Sequence, residues 1–190
     1  MSNKLLLCAL LLLGGSLLSA LSAQVNATSW AQRSLSGRRA PALAYDAARN
    51  RTILFGGENG SGSSYLADTW EWDGSGWSRL TPATSPPARA VHAMAYDSVR
   101  GRVVLFGGQS NAGWMYDTWE WDGNNWVQRS ATGPSGRTGT ALAFDSARGR
   151  TVLFGGYDIT TLYSDTWEWD GNTWARRNPT VSPPARWAHA

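Results

Sequence analysis

The sequence predicts an all-β chain built from one antiparallel four-stranded unit used three times. Three observations carry this. The segment VVLFGGQSNAGWMYDTWEWDGNNW at residues 103–126 has counterparts at residues 53–77 and 152–174, each with an LFGG run, a DTWEWDG run and a later Trp. The phase is nearly constant: Phe55, Phe106 and Phe154 are 51 and 48 residues apart, and Trp70, Trp119 and Trp167 are 49 and 48 apart. The 190 residues also include 12 Trp and 21 Gly, the aromatic and turn-rich composition that short strands and tight turns require.

The elements follow in order from alternation and turn chemistry. A first strand, a, is expected over residues 90–96 (AVHAMAY), followed by a polar turn over 97–101. Strand b, over 102–106, is apolar at successive positions, as in a strand covered on both faces. Gly107-Gly108 ends it, where missing Cβ atoms allow positive φ and close approach of another backbone. Strand c, over 117–121, places Trp119 and Trp121 on one face and Thr118 and Glu120 on the other. Asp122-Gly123 opens the c–d hairpin turn, and strand d begins at Trp126.

Each unit resembles a kelch repeat in order and length: R-x-x-x-A-x-A-[YF]-D, an apolar run, Gly-Gly, DTWEWDG, then a lone Trp. The resemblance implies a β-propeller in which every unit is one blade and strand a is innermost. It also implies that the recurring Trp pack blade against blade rather than stack on a ligand. The ends carry partial units. Residues 29–33 (SWAQR) match 125–129 (NWVQR), and 183–190 (PPARWAHA) match 86–93 (PPARAVHA). The expected organisation is an incomplete propeller: an orphan outer strand over 28–37, blades over 38–85, 86–133 and 134–180, and the start of a fourth over 181–190. On this reading the natural frame continues for roughly three more repeats, within the usual 4–8 blades, and the 190-residue chain by itself self-associates.

Residues 1–23 have the layout of a secretory leader: Lys4, a Leu-rich run over 5–13, then small residues, with cleavage expected between 22 and 27. The mature chain is then secreted, periplasmic or on the cell surface. It has no membrane span and no disulfide, since Cys8 is the only cysteine. The net charge is +3, yet Lys4 is the only lysine and Arg recurs at fixed phases, which argues against a polybasic nucleic-acid surface.

Strand direction puts the d–a and b–c loops on one face and the a–b and c–d turns on the other. The a–b and c–d turns are nearly identical between units, whereas the b–c loops differ: ENGSGSSYLA, QSNAGWMY and YDITTLYS. These variable loops carry Tyr65, Trp114, Tyr116, Tyr157 and Tyr163, the expected ligand-facing aromatics. At the same end Arg38, Arg89, Arg137 and Arg186 open each strand a. Two readings stand for them: capture of a carboxylate or phosphate, or pairing inside the fold with Asp68, Asp117 and Asp165. The arginines of Asp46–Arg49, Asp97–Arg100 and Asp145–Arg148 read as turn salt bridges. His92 and His189 share a phase and lack a third ligand at metal spacing, so no metal or other cofactor is expected. A galactose-oxidase-like enzyme would need copper ligands and a cross-linkable cysteine that the mature segment lacks, and no nucleophile triad or carboxylate pair is recognisable. The expected function is a non-enzymatic module binding a protein or a carbohydrate; the alternatives are a structural repeat segment of a larger surface protein and the non-catalytic part of a galactose-oxidase-like enzyme.

Overall fold

The computed structural model describes residues 37–62, 64–129 and 132–189, and every described element is a strand, bridge or turn. The expected leader over 1–23, Cys8 and the orphan strand around Trp30 lie outside the described residues. The first unit contains β1 (Arg38–Arg39), β2 (Ala42–Asp46), β3 (Arg51–Phe55), β4 (Glu58–Asn59), β5 (Thr69–Trp72) and β6 (Trp77–Leu80). The second contains β7 (Ala93–Asp97), β8 (Arg102–Phe106), β9 (Gln109–Ser110), β10 (Gly113–Trp114), β11 (Thr118–Trp121) and β12 (Trp126–Gln128). The third contains β13 (Ala141–Asp145), β14 (Arg150–Phe154), β15 (Thr166–Trp169) and β16 (Trp174–Arg177).

Each unit folds into one antiparallel sheet with the order β2-β3-β5-β6, β7-β8-β11-β12 or β13-β14-β15-β16. The register repeats as well: Phe55 faces Thr69, Phe106 faces Thr118 and Phe154 faces Thr166. Strands a are neighbours from blade to blade, β2 beside β7 and β7 beside β13, so they form the inner wall. The described residues form three consecutive four-stranded blades of an all-β propeller. One boundary differs from expectation. Strand a of the second blade starts at Ala93 rather than at 90, because Val91 has φ 56 and only an isolated bridge joins Ala90 to Gln109.

The core lies between blades, and the alternation of strand b decides which blade each side chain meets. Ile53 and Phe55 of β3 face the second blade, where they meet Val103, Leu105, Trp119, Trp121 and Trp126. Val104 and Phe106 of β8 face the third, where they meet Leu153, Trp169 and Trp174. Strand b is therefore apolar on both sides. Phe55 meets Trp126 edge-on at 5.3 Å, and Phe106 meets Trp174 at 5.4 Å. A fully buried Trp contributes up to about 4–6 kcal/mol by area, as an upper bound. Trp121, Trp126 and Trp169 reach that burial, while Trp70, Trp72 and Trp77 of the first blade and Trp167 of the third are half-buried.

Candidate functional site

The loop end of each blade is fixed by one cluster. Asp117, at the entry to β11, accepts Arg89 through both carboxylate oxygens, at 2.6 and 2.7 Å, and the Trp119 indole N–H at 2.6 Å. Arg89 also donates to the Gly107 and Pro87 carbonyls and is wholly buried. Arg38 with Asp68 and Trp70 repeats the cluster, as does Arg137 with Asp165 and Trp167. Burial by itself would push these three carboxyls up, but the guanidinium and indole N–H groups hold all three below the usual carboxylate range. Three of the four expected arginines are therefore occupied by carboxylates of their own blade. Arg186 is exposed, and among the described residues its side chain makes one bond, from Nε to the Pro184 carbonyl.

The Gly-Gly doublet is the seat for the next blade. Gly57 N donates to the Arg89 carbonyl, Gly108 N to that of Arg137 and Gly156 N to that of Arg186, each at 2.9 Å. A Cβ on Gly56 would lie 2.5 Å from the Arg89 oxygen, so no larger residue fits there. Two positions after each Arg the chain turns left-handed, at Ala40, Val91, Gly139 and Ala188. The N–H of each of the last three donates to the carbonyl before it, linking Ala40, Val91, Gly139 and Ala188 in a row along the inner wall. Nothing in the spacing announced this row, because Ala, Val and Gly share no side-chain chemistry.

The variable b–c loops project from this end. Tyr116 and Tyr157 are exposed, and Tyr157 packs on Trp187 at 5.9 Å while its hydroxyl donates to the Ile159 carbonyl. Ile159, Leu162 and Trp187 are exposed beside it, an apolar cluster that the sequence reading missed because it weighed only the aromatics of the loops. Tyr65 and Trp114 are half-buried, and burial, then the Glu58 charge, raises the Tyr65 hydroxyl above its ordinary value. Tyr163 is engaged inside the fold: it bonds Asp158, accepts Ser135 Oγ at 2.9 Å and lies under the Arg137 guanidinium at 3.6 Å. A cleft of about 610 Å³ opens beside it toward Trp167, Arg176 and Asn178.

The opposite face is built from the turn salt bridges, which also reach across blades. Arg49 binds Asp46 at 2.7 Å and the Asp122 carbonyl of the second blade at 2.6 Å. Arg100 binds Asp97 at 2.6 Å and the Gly149 carbonyl of the third at 3.2 Å. Among the described residues no cluster of His, Cys, Asp and Glu is arranged to hold a metal ion.

The same seat and carboxylate cluster thus recur in all three described blades, and the same Trp contact at both boundaries between them. The chain matches the family model described as the KLHDC2/KLHL20/DRC7 Kelch-repeats domain over residues 16–190. It belongs to the kelch-repeat family. Among curated proteins, none matches it significantly. Kelch domains in general are protein-interaction propellers, and this kelch segment has the rigid scaffold and variable loop end of such a module. No helix among its described residues is long and apolar enough to cross a membrane.

Proposed function

We propose that this kelch segment is a non-catalytic interaction module of an exported protein, and that its b–c and d–a loop face binds the ligand. One observation carries the choice of face. Tyr116, Tyr157, Ile159, Leu162 and Trp187 are exposed on the end whose loops differ between units, while the turns of the other end are near copies held by Arg49 and Arg100. Exposed aromatic and aliphatic side chains on a fixed frame suit a protein surface; Tyr and Trp also suit a sugar ring. The arginines Arg38, Arg89 and Arg137 position the loops rather than meet the ligand, because their donors already face Asp68, Asp117 and Asp165. Export is supported by the leader-like residues 1–23.

The test places a photo-crosslinking side chain at Tyr116, at Ile159 and, as control, at Val99 on the opposite face, where the side chain is 64% exposed. Adducts at 116 and 159 but not at 99 support the reading. Equal labelling at 99 overturns it. A glycan array probed with the same protein separates a carbohydrate ligand from a protein one.

A further inference from the structure

His92 is set into the joint between the first two blades. Its Cε1 would lie 3.3 Å from a Cβ on Gly56, its Cβ 2.8 Å from one on Gly108, and its ring meets Phe55 edge-on at 5.6 Å. The side chain thus fills the gap between two Gly-Gly doublets, one from each blade. It is buried, and among the described residues neither ring nitrogen makes a hydrogen bond. His189 repeats the pose on the seat of the third blade: its ring meets Phe154 edge-on at 5.8 Å, and its Cε1 would lie 3.2 Å from a Cβ on Gly155. The second boundary is built differently. There Thr140 holds the phase and donates its hydroxyl to the Phe154 carbonyl of its own blade at 3.0 Å.

The neighbours of the imidazole decide how it answers a proton. The charged groups facing it are Arg89, earlier on the same segment, and Asp117 at the entry to β11. Those two already pair with each other at 2.6 and 2.7 Å, so the guanidinium, not the ring, satisfies the carboxylate. The end of β3 and the two glycine doublets contribute the Phe55 ring and backbone. Burial opposes a charged ring most and Arg89 next, while the Phe55 carbonyl and Asp117 favour it less. A protonated His92 is therefore a second cation beside a buried guanidinium, and it is stabilised by moving out toward water.

The same short segment ties the joint to the loop end. The Arg89 carbonyl accepts Gly57 N–H at 2.9 Å, and Val91 N–H donates to the Ala40 carbonyl at 3.0 Å, both across the first boundary. The Arg89 guanidinium fixes Asp117, where the loop bearing Tyr116 returns to its blade. We propose that the first blade boundary is an acid-sensitive joint: protonation of His92 opens the Gly56-Gly57 seat and loosens the loop face between the first and second blades, while the second boundary stays closed. The consequence for binding rests on that loop face being the ligand face; the joint itself does not. With the joint open the ring titrates near its ordinary 6.5, and with it closed at about 3. The opening equilibrium therefore grows as pH falls between those values, by up to about tenfold per unit.

Hydrogen exchange read at single backbone amides of the full chain tests this, at about pH 7.5 and 4.5 and corrected for the intrinsic rate at each. Protection at Gly57 and Val91 should fall by up to about a hundredfold at the lower pH. Gly108 and Gly139, which donate to the Arg137 and Val91 carbonyls across the second boundary, should keep theirs. His92→Thr should abolish the loss, and Thr140→His should carry it to Gly108 and Gly139. Equal loss at the two boundaries, no loss at the first, or a loss that persists in His92→Thr overturns the proposal. Where His92→Thr does not fold, Thr140→His decides: a second boundary that stays insensitive to acid with an imidazole at its seat overturns it as well. No ligand enters the measurement, so failure of the ligand-face reading leaves the result untouched.

Discussion

Trp126 donates its indole N–H to Thr69 Oγ1 across the first blade boundary, at 3.0 Å and with both side chains buried. Trp174 makes the same bond to Thr118 across the second. Trp and Thr of the repeated DTWEWDG…W pattern are thus partners, but in adjacent blades, 57 and 56 residues apart.

Thr69→Val keeps the shape and removes the acceptor. The Trp126 N–H is then buried without a partner, at a cost of about 1–3 kcal/mol. Urea unfolding should show a lower midpoint with an unchanged slope, and an unchanged midpoint would mean the bond contributes nothing.

Leu80 occupies a phase held by Arg129 and Arg177, which bind Glu120 and Glu168 at 2.8 Å. Without that arginine, Glu71 turns to Arg51 at 3.7 Å, and the buried Trp121 N–H has no acceptor among the described residues. Leu80→Arg is expected to orient Glu71 toward Trp121 and to stabilise the chain by about 1 kcal/mol. A thermal melt should show the rise, and the rise should vanish in a Glu71→Ala background.

Val91 is β-branched and sits at φ 56, where the next blade has Gly139 at φ 61. A left-handed residue with a Cβ costs roughly 1–2 kcal/mol, and the added entropy of glycine returns about 0.5–1 of it. Val91→Gly should therefore raise the melting temperature slightly. Gly139→Val should lower it clearly, because the added Cβ would also meet Ala188 N at 3.0 Å.

His92 is buried edge-on against Phe55, and burial, then the Arg89 charge, lowers its imidazole to about 3 from 6.5. The folded pKa lies below the unfolded one, so the stability is fully present above about pH 6.5 and falls as the unfolded chain gains a proton the folded chain refuses. The slope is at most about 1.4 kcal/mol per pH unit between those two values. The paired Asp68, Asp117 and Asp165 act lower, below their ordinary 3.8. Denaturant melts between about pH 7.5 and 4.5 should show the loss. His92→Thr, imitating Thr140 at the same phase, should flatten the profile; an unaltered profile would assign the loss elsewhere.

The sequence by itself determined the repeat phase, the four strands of each unit, the Asp-Gly turns and the Asp–Arg turn bridges. These depend on period-two alternation and on side chains bonding backbone two or three residues away, as Asp122 Oδ1 does with the N–H groups of Asn124 and Asn125. The Arg–Asp pairing was one of two readings that residue type allowed for the arginines. It took the buried position of Arg89, 28 residues from Asp117 along the chain, to show its guanidinium already occupied. The tertiary structure also decided which loop aromatics are free. Tyr163 and Tyr116 look alike in sequence, yet Tyr163 is held by Arg137, Ser135 and Asp158 while Tyr116 stays exposed. It decided, too, that the first Gly of each doublet lies under the next blade's Arg carbonyl, and that His92 is buried against Phe55 of the preceding blade. Local patterning carries a strand and its turn. A contact between residues some fifty apart exists only once two blades stack, and no single repeat contains both of its halves.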